Sequence, residues 1–279
     1  LYSTDNSIEL PEDDYDANKI PATNTSVTSV VIPDGVTEIQ KYAFYNCTGL
    51  REVAIPEDVQ FIREFAFYNC QKLERVVLND TLKTDPASTT YKDRYVYENG
   101  NFVFNGETPA SLTGTKAEVL GKNAFAGCVK LDNVDLSGVY AIGERTFDGC
   151  TSLSYADLTA LRNTGKEAFR GCTSLQQAAL AEHTKLSYAL FVRSGLTSVD
   201  LYTESADLPE YLFAQCPDLT SITVHGNVVN VLKGAFSECH KLTSVVFEGK
   251  VESIGELAFY DSDAMTSLQL PDCETEIAL

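Results

Sequence analysis

Eight cysteines and three histidines carry the most reactive side chains of this 279-residue chain, and their spacing decides what they could do. Seven thiols, Cys47, Cys70, Cys128, Cys150, Cys172, Cys216 and Cys239, each stand three residues after a Phe, and that Phe recurs every 22 or 23 residues over most of the chain. Ser194 and Ser262 hold the same place in two further copies, which neither an obligatory bridge nor a metal site would tolerate. No Cys-x-x-Cys pair occurs, so the spacing offers no zinc site. One thiol per repeat, flanked by apolar residues, reads as a buried, inert group packing as a small hydrophobe. Disulfides between adjacent copies and redox chemistry are the alternatives. Cys273 lies outside the series and is expected to be exposed. His183, His225 and His240 fall at different places in the repeat, so no stacking pairs them. Nothing sets a base within reach of a nucleophile, and neither a Gly-rich phosphate loop nor His-Glu-x-x-His is present. The expectation is a non-enzymatic chain with no cofactor and no metal.

The repeat itself must position whatever chemistry remains. The Phe recurs at Phe44, Phe67, Phe125, Phe147, Phe169, Phe191, Phe213, Phe236 and Phe259, and an apolar triplet follows it, as in Leu50/Val53/Ile55, Leu131/Val134/Leu136 and Leu242/Val245/Phe247. A constant period of this size means stacked coils, because one coil cannot bury its own apolar face. The last two apolar positions of the triplet alternate, which places them on one face of a short strand. Such strands stack in parallel, one per coil. A second apolar set, Val36/Ile39, Val59/Ile62, Val139/Ile142, Val228/Val231 and Val251/Ile254, lines the return path. The Ala-Phe-x-x-Cys turn between them is too brief for a full helix and is expected to be a 3-10 or single-turn piece. In the irregular coils, Thr164, His183 and Ser205 take return-path slots that are apolar elsewhere, and a wider bend is expected there.

Side chains between the apolar strand positions face outward, toward the expected concave surface. Asp135 and Asp157 should lie on adjacent strands, where like charges are unfavourable. Asp132, Asn133 and Asp200 extend the polar stripe, and Tyr155 would sit beside it as an aromatic anchor of the kind enriched at binding sites. No Lys or Arg occupies the neighbouring outward positions. A basic partner, or a hard cation held by carboxylate oxygens, would relieve the repulsion.

The formal charge of -19, from 21 Lys and Arg against 40 Asp and Glu, excludes direct nucleic-acid binding and disfavours anionic lipid. No apolar run is long enough to span a membrane. The chain begins at Leu1 rather than Met, which is read as a segment excised from a longer precursor. Residues 1–26 are polar and acidic, a tail or N-terminal cap, and residues 27–279 form the solenoid of about nine coils. Residues 79–116 break the period. Tyr95, Tyr97 and Phe102 lie there among β-formers on either side of Glu98-Asn99-Gly100-Asn101, so an inserted hairpin is expected. Insertions in solenoids fall on one face and often carry function.

The motif Leu-x-x-Ile-x-Ile-Pro-x-x-Val-x-x-Ile-x-x-x-Ala-Phe-x-x-Cys, matched here by Leu50, Val53, Ile55, Pro56, Val59, Ile62, Ala66, Phe67 and Cys70, resembles the BspA-like class of bacterial surface leucine-rich repeats. The resemblance covers roughly residues 27–277. It implies a curved right-handed leucine-rich repeat solenoid, a parallel β-sheet with short 3-10 or helical turns. It also implies a secreted or cell-surface, extracellular setting and a protein-binding role, that of an adhesin for host matrix or neighbouring-cell proteins. Glycan or glycoprotein binding through the aromatic insert and a purely structural stalk are the alternatives.

Overall fold

The computed structural model describes residues 23–33, 35–56, 58–59, 61–73, 75–79, 95–98, 101–104, 119–136, 139, 141–203, 206–271 and 276–277. Tyr91, Ser205, Cys273 and most of the acidic N-terminal stretch lie outside the described residues. Alternation of buried and exposed residues builds two rows of strands. In Ser198–Tyr202, Val199 and Leu201 are buried while Ser198, Asp200 and Tyr202 are exposed. The first row runs through Ser29–Val31, Glu52–Pro56 and Arg75–Asn79, and resumes with Asn133–Asp135, Tyr155–Asp157 and Gln177–Ala179. It continues through Ser198–Tyr202, Ser221–His225, Ser244–Phe247 and Ser267–Gln269. Pairing between coils is parallel and residue for residue, as in Val53 with Val76 and Ile222 with Val245. The return row holds shorter strands, such as Glu38–Ile39, Phe61–Ile62 and Val251–Ile254. The molecule is a parallel β-solenoid around one continuous apolar core.

The Phe residues form the spine of that core. Successive rings from Phe44 to Phe259 stack nearly parallel, 5.1 Å apart at Phe44–Phe67 and 5.9 Å at Phe213–Phe236. Phe67, Phe147, Phe169, Phe191, Phe213 and Phe236 are fully buried. Each contributes about 1.5–3 kcal/mol of transfer free energy, offset in large part by the chain entropy lost on ordering a coil.

The turn carrying each Phe is not a 3-10 or helical piece, and no described residue is helical. Residues two before and two after every Phe are left-handed. Tyr42 and Asn46 have φ of 62° and 54°, and Arg145 and Gly149 have 54° and 71°. These reversals interrupt any helix. Alternate amides instead serve two directions. Ala43, Tyr45 and Cys47 donate three residues back within the turn, while Tyr42, Phe44 and Asn46 donate to Glu64, Ala66 and Tyr68 of the next coil. The six amides from Tyr42 to Cys47 are thereby all satisfied, half within the turn and half on the next coil, which a single-turn helix could not achieve between stacked coils.

The insert leaves the spine intact. Phe61 and Ile62 pair directly with Val119 and Leu120, and Phe67 stacks on Phe125 at 5.4 Å. On the first row the chain makes an antiparallel hairpin, Tyr95–Glu98 with Asn101–Phe104, which joins Arg75–Asn79 through Val77 and Val96. In the irregular coils the return row shrinks to single bridges from Asn163 to Ala141 and Lys185. Backbones approach closely there: a Cβ on Gly165 would lie 2.0 Å from the carbonyl carbon of Gly143. Thr164 is buried and donates its hydroxyl to the Lys185 carbonyl. The next slot belongs to Thr184 rather than His183. Thr184 is buried with its hydroxyl on the Leu158 carbonyl, and His183 is exposed.

Candidate functional site

The first row's outward positions form the candidate surface. Parallel register makes Asp157 the direct partner of Asp135, and Tyr155 the partner of Asn133. Tyr155 is 38% exposed. Asp157 has a structural task as well: one carboxylate oxygen accepts from the Thr159 amide at 3.0 Å and the Thr159 hydroxyl at 2.6 Å, closing the turn after the strand. Asp132 accepts from the Ser154 hydroxyl at 3.0 Å, and partial burial pushes its pKa up. The carboxylates of Asp132 and Asp157 are therefore held by hydroxyl donors of the same coil or the next one.

Asp200 is not part of this group. The sheet containing Asp135 and Asp157 ends at Gln177–Ala179, where Ala179 stands opposite Asp157, and Ser198–Tyr202 starts the next sheet. Asp200 belongs instead to a cluster that the sequence did not reveal. The His225 ring stacks on Tyr202 at 4.5 Å, its Nδ1 lies 2.8 Å from Glu248, and its Nε2 lies 3.9 Å from Asp200. Tyr202, His225 and Glu248 share one column, six residues after Leu196, Leu219 and Leu242, and that common offset was the available signal. Tyr97 and Phe102 of the insert are cross-strand partners, and Tyr95 pairs with Phe104. The Asn101–Phe104 strand comes within 8 Å, Cα to Cα, of Asn133–Asp135, so the insert borders the strand that carries Asp135.

The seven ladder thiols are free and buried. Those after the first are also donors to the preceding coil: Cys70 gives its S–H to the Phe44 carbonyl at 3.2 Å, Cys172 to Phe147 at 3.2 Å and Cys239 to Phe213 at 3.1 Å. Ser262 does the same to Phe236 at 2.8 Å, which explains why the slot admits Ser. Burial pushes the thiols up, Cys216 to about 11 and Cys239 to about 12, so thiolate chemistry at neutral pH is suppressed. Among the described residues no group of three or more His, Cys, Asp or Glu could hold a metal ion.

With the coil geometry in place, the sequence profile of the BspA type leucine-rich repeat region matches residues 22–98, 100–220 and 206–278. The chain belongs to this family. Among solved structures it resembles a leucine-rich cell surface protein from Faecalibacterium prausnitzii, with a TM-score of 0.53 and 18% identity over 89% of this chain and 70% of that one. A leucine-rich repeat protein from Bacteroides ovatus has a TM-score of 0.41 and 22% identity over 90% of this chain and 83% of that one. No curated protein matches the sequence. In the coil of Leu153, Ala156 and Leu158 these three side chains are buried, whereas Ser154 and Tyr155 are exposed and Asp157 is partly so.

Proposed function

We propose that this chain is a non-enzymatic protein-binding module of a secreted or cell-surface protein, an adhesin for host or neighbouring-cell proteins, and that its partner is basic. Residues 27–279 serve as the scaffold and residues 1–26 as its tail or cap. The observation that carries this reading is the register that sets Asp157 against Asp135 on adjacent strands, beside the exposed ring of Tyr155. Like charges so placed cost free energy, and a basic surface docking on them recovers it while steering encounter. The insert bearing Tyr95, Tyr97 and Phe102 adds a second candidate surface, since its Asn101–Phe104 strand lies near Asn133–Asp135. Support for the setting comes from the family and from the relative described as a cell surface protein.

The test is a double substitution, Asp135→Asn with Asp157→Asn, assayed on an immobilised panel of extracellular matrix and surface proteins. The amide at position 157 keeps an oxygen for Thr159, so the fold should persist. Association should slow and its salt dependence should flatten. Glu252→Gln with Asp261→Asn, on the return row and turn, is the control and should change neither. If both double variants bind as the parent does, the acidic strands are not the interface, and Tyr95, Tyr97 and Phe102 become the next substitutions. Binding to no panel member would favour the stalk.

A further inference from the structure

The turn edge carries a second surface. Along most of it, the residue three before each Phe is charged, and signs alternate so that neighbours pair: Lys41 with Glu64 at 2.7 Å, Lys122 with Glu144 at 3.0 Å and Lys233 with Glu256 at 3.0 Å. In the middle coils this order breaks. Tyr188 takes the charged place before Phe191, and Tyr211 takes the left-handed place before Phe213. Their rings meet edge to face, 5.8 Å apart and inclined by 71°, and Tyr188 is 40% exposed. Tyr211 is held down by its neighbour: a Cβ on Gly234 would lie 2.5 Å from a Tyr211 ring carbon, so the ring rests against bare glycine backbone.

These rings line a groove of about 360 Å³. Its charged lining is three arginines against two glutamates, in a chain whose formal charge is -19. Arg145 is paired with Glu167, and Arg170 lies 3.8 Å from Asp148. Arg193 differs. Its Nε donates to the neutral Gln215 at 2.6 Å, and Gln215 in turn donates to Glu238 at 2.9 Å. Among the described residues no carboxylate pairs with Arg193, so its terminal guanidinium nitrogens keep their bidentate donor capacity.

We propose that this groove binds a carboxylate-bearing sugar unit, a uronic-acid type residue of an acidic glycan. The carboxylate meets the Arg193 fork. Ring hydroxyls, which both donate and accept, match the interleaved Gln215, Glu238 and Glu167. The apolar ring face covers Tyr188. An acidic peptide needs donors only, and its further charges would sit against Glu167 and Glu238. The volume suits one sugar residue with part of its neighbour.

The experiment titrates the purified chain by NMR or calorimetry with a glucuronate-terminated oligosaccharide, its glucose-terminated counterpart and a glutamate-rich peptide. The acidic sugar should bind at least about tenfold more tightly than either comparator. Arg193→Gln should abolish the preference for acidic over neutral sugar, and Tyr188→Ala should weaken both sugars. Both side chains are at the surface, so circular dichroism should show an unchanged fold. Asp135→Asn with Asp157→Asn should leave sugar binding intact, which separates this site from the protein-binding surface. Equal binding of acidic and neutral sugars, tighter binding of the peptide, no binding of any probe, or unchanged binding by both groove variants would each overturn the proposal.

Discussion

Substituting Cys172 distinguishes two accounts of the thiol ladder. If the thiols are only small hydrophobes, alanine should be the best replacement and serine should be penalised for burying a hydroxyl. The structure argues for the reverse order. The Cys172 S–H donates to the Phe147 carbonyl at 3.2 Å, and the equivalent hydroxyl of Ser262 reaches its carbonyl at 2.8 Å. Cys172→Ser therefore keeps a donor and shortens the bond, and should cost less than about 1 kcal/mol. Cys172→Ala forfeits the bond, about 0.5–1 kcal/mol, and leaves a void where the sulfur sat, for a total of about 1–2 kcal/mol. The loss stays modest because the Phe147 carbonyl also accepts from the Cys150 amide at 3.1 Å and is not stranded. Cys172→Val overfills a slot between close coils and should cost about 1–3 kcal/mol. Urea midpoints followed by far-UV circular dichroism, compared at a common slope, give the ranking. An alanine variant as stable as the serine variant would refute the donor account.

Other expectations rest on separate features. Phe169→Ala removes a fully buried ring stacked on Phe147 at 5.3 Å and on Phe191 at 5.6 Å, and should cost about 3–5 kcal/mol. Phe259, half-buried with one stacking partner at 5.2 Å, should cost clearly less when replaced by Ala, and equal losses in urea titrations would contradict the stacked-coil description. Thiol titration of the folded chain at pH 8 should label none of the seven ladder cysteines, whereas urea should release all of them. The Glu38 carboxyl is held below its ordinary value of 4.5 by the hydrogen bond from Arg63. A depressed folded pKa gives stability that is present above the unfolded value and lost as pH falls through the folded one. The difference between the parent and Arg63→Gln should be at most about 1 kcal/mol at pH 7, should begin to shrink as pH falls below the ordinary value of 4.5, and should vanish only once the folded-state Glu38 carboxyl is protonated, read by pH-dependent urea titrations.

The coils could be read from sequence because they are over-determined: period, triplet and return-path pairs all repeat in step. What escaped were features set between coils. Tyr42, Phe65 and Arg145 adopt left-handed backbone against their own preference, because alternate amides must reach the next coil. No local propensity encodes that. The slip at His183 has a similar origin, since the slot is chosen by the Leu158 carbonyl that receives the Thr184 hydroxyl one coil away. The adjacency of Asp135 and Asp157 needed only the repeat register and was legible. The same register puts Asp200 two coils beyond Asp157, past Ala179; what it did not give was the break between Gln177–Ala179 and Ser198–Tyr202, in coils whose return path has lost its strands.

Charge placement gives the outward columns a logic that composition alone does not. The chain has 21 Lys and Arg for 40 Asp and Glu, so its cations are the scarce partner. Many serve the turn and return edges, where Lys41, Arg63, Lys122, Arg145 and Lys233 each bridge to a carboxylate of an adjacent coil. Repeated stacking makes such edge pairs local, since each coil meets only its neighbours. On the strand face, Asp157 and Asp200 have no Lys or Arg partner among the described residues; Asp157 is served by Thr159 and Asp200 faces only His225. Part of the negative excess is thus left on the face whose side chains the core does not use. A field of one sign on one face steers an oppositely charged partner toward it. The arginine groove lies on the turn edge, away from those strands, so the proposed basic protein partner and the proposed acidic sugar occupy separate surfaces of a single scaffold.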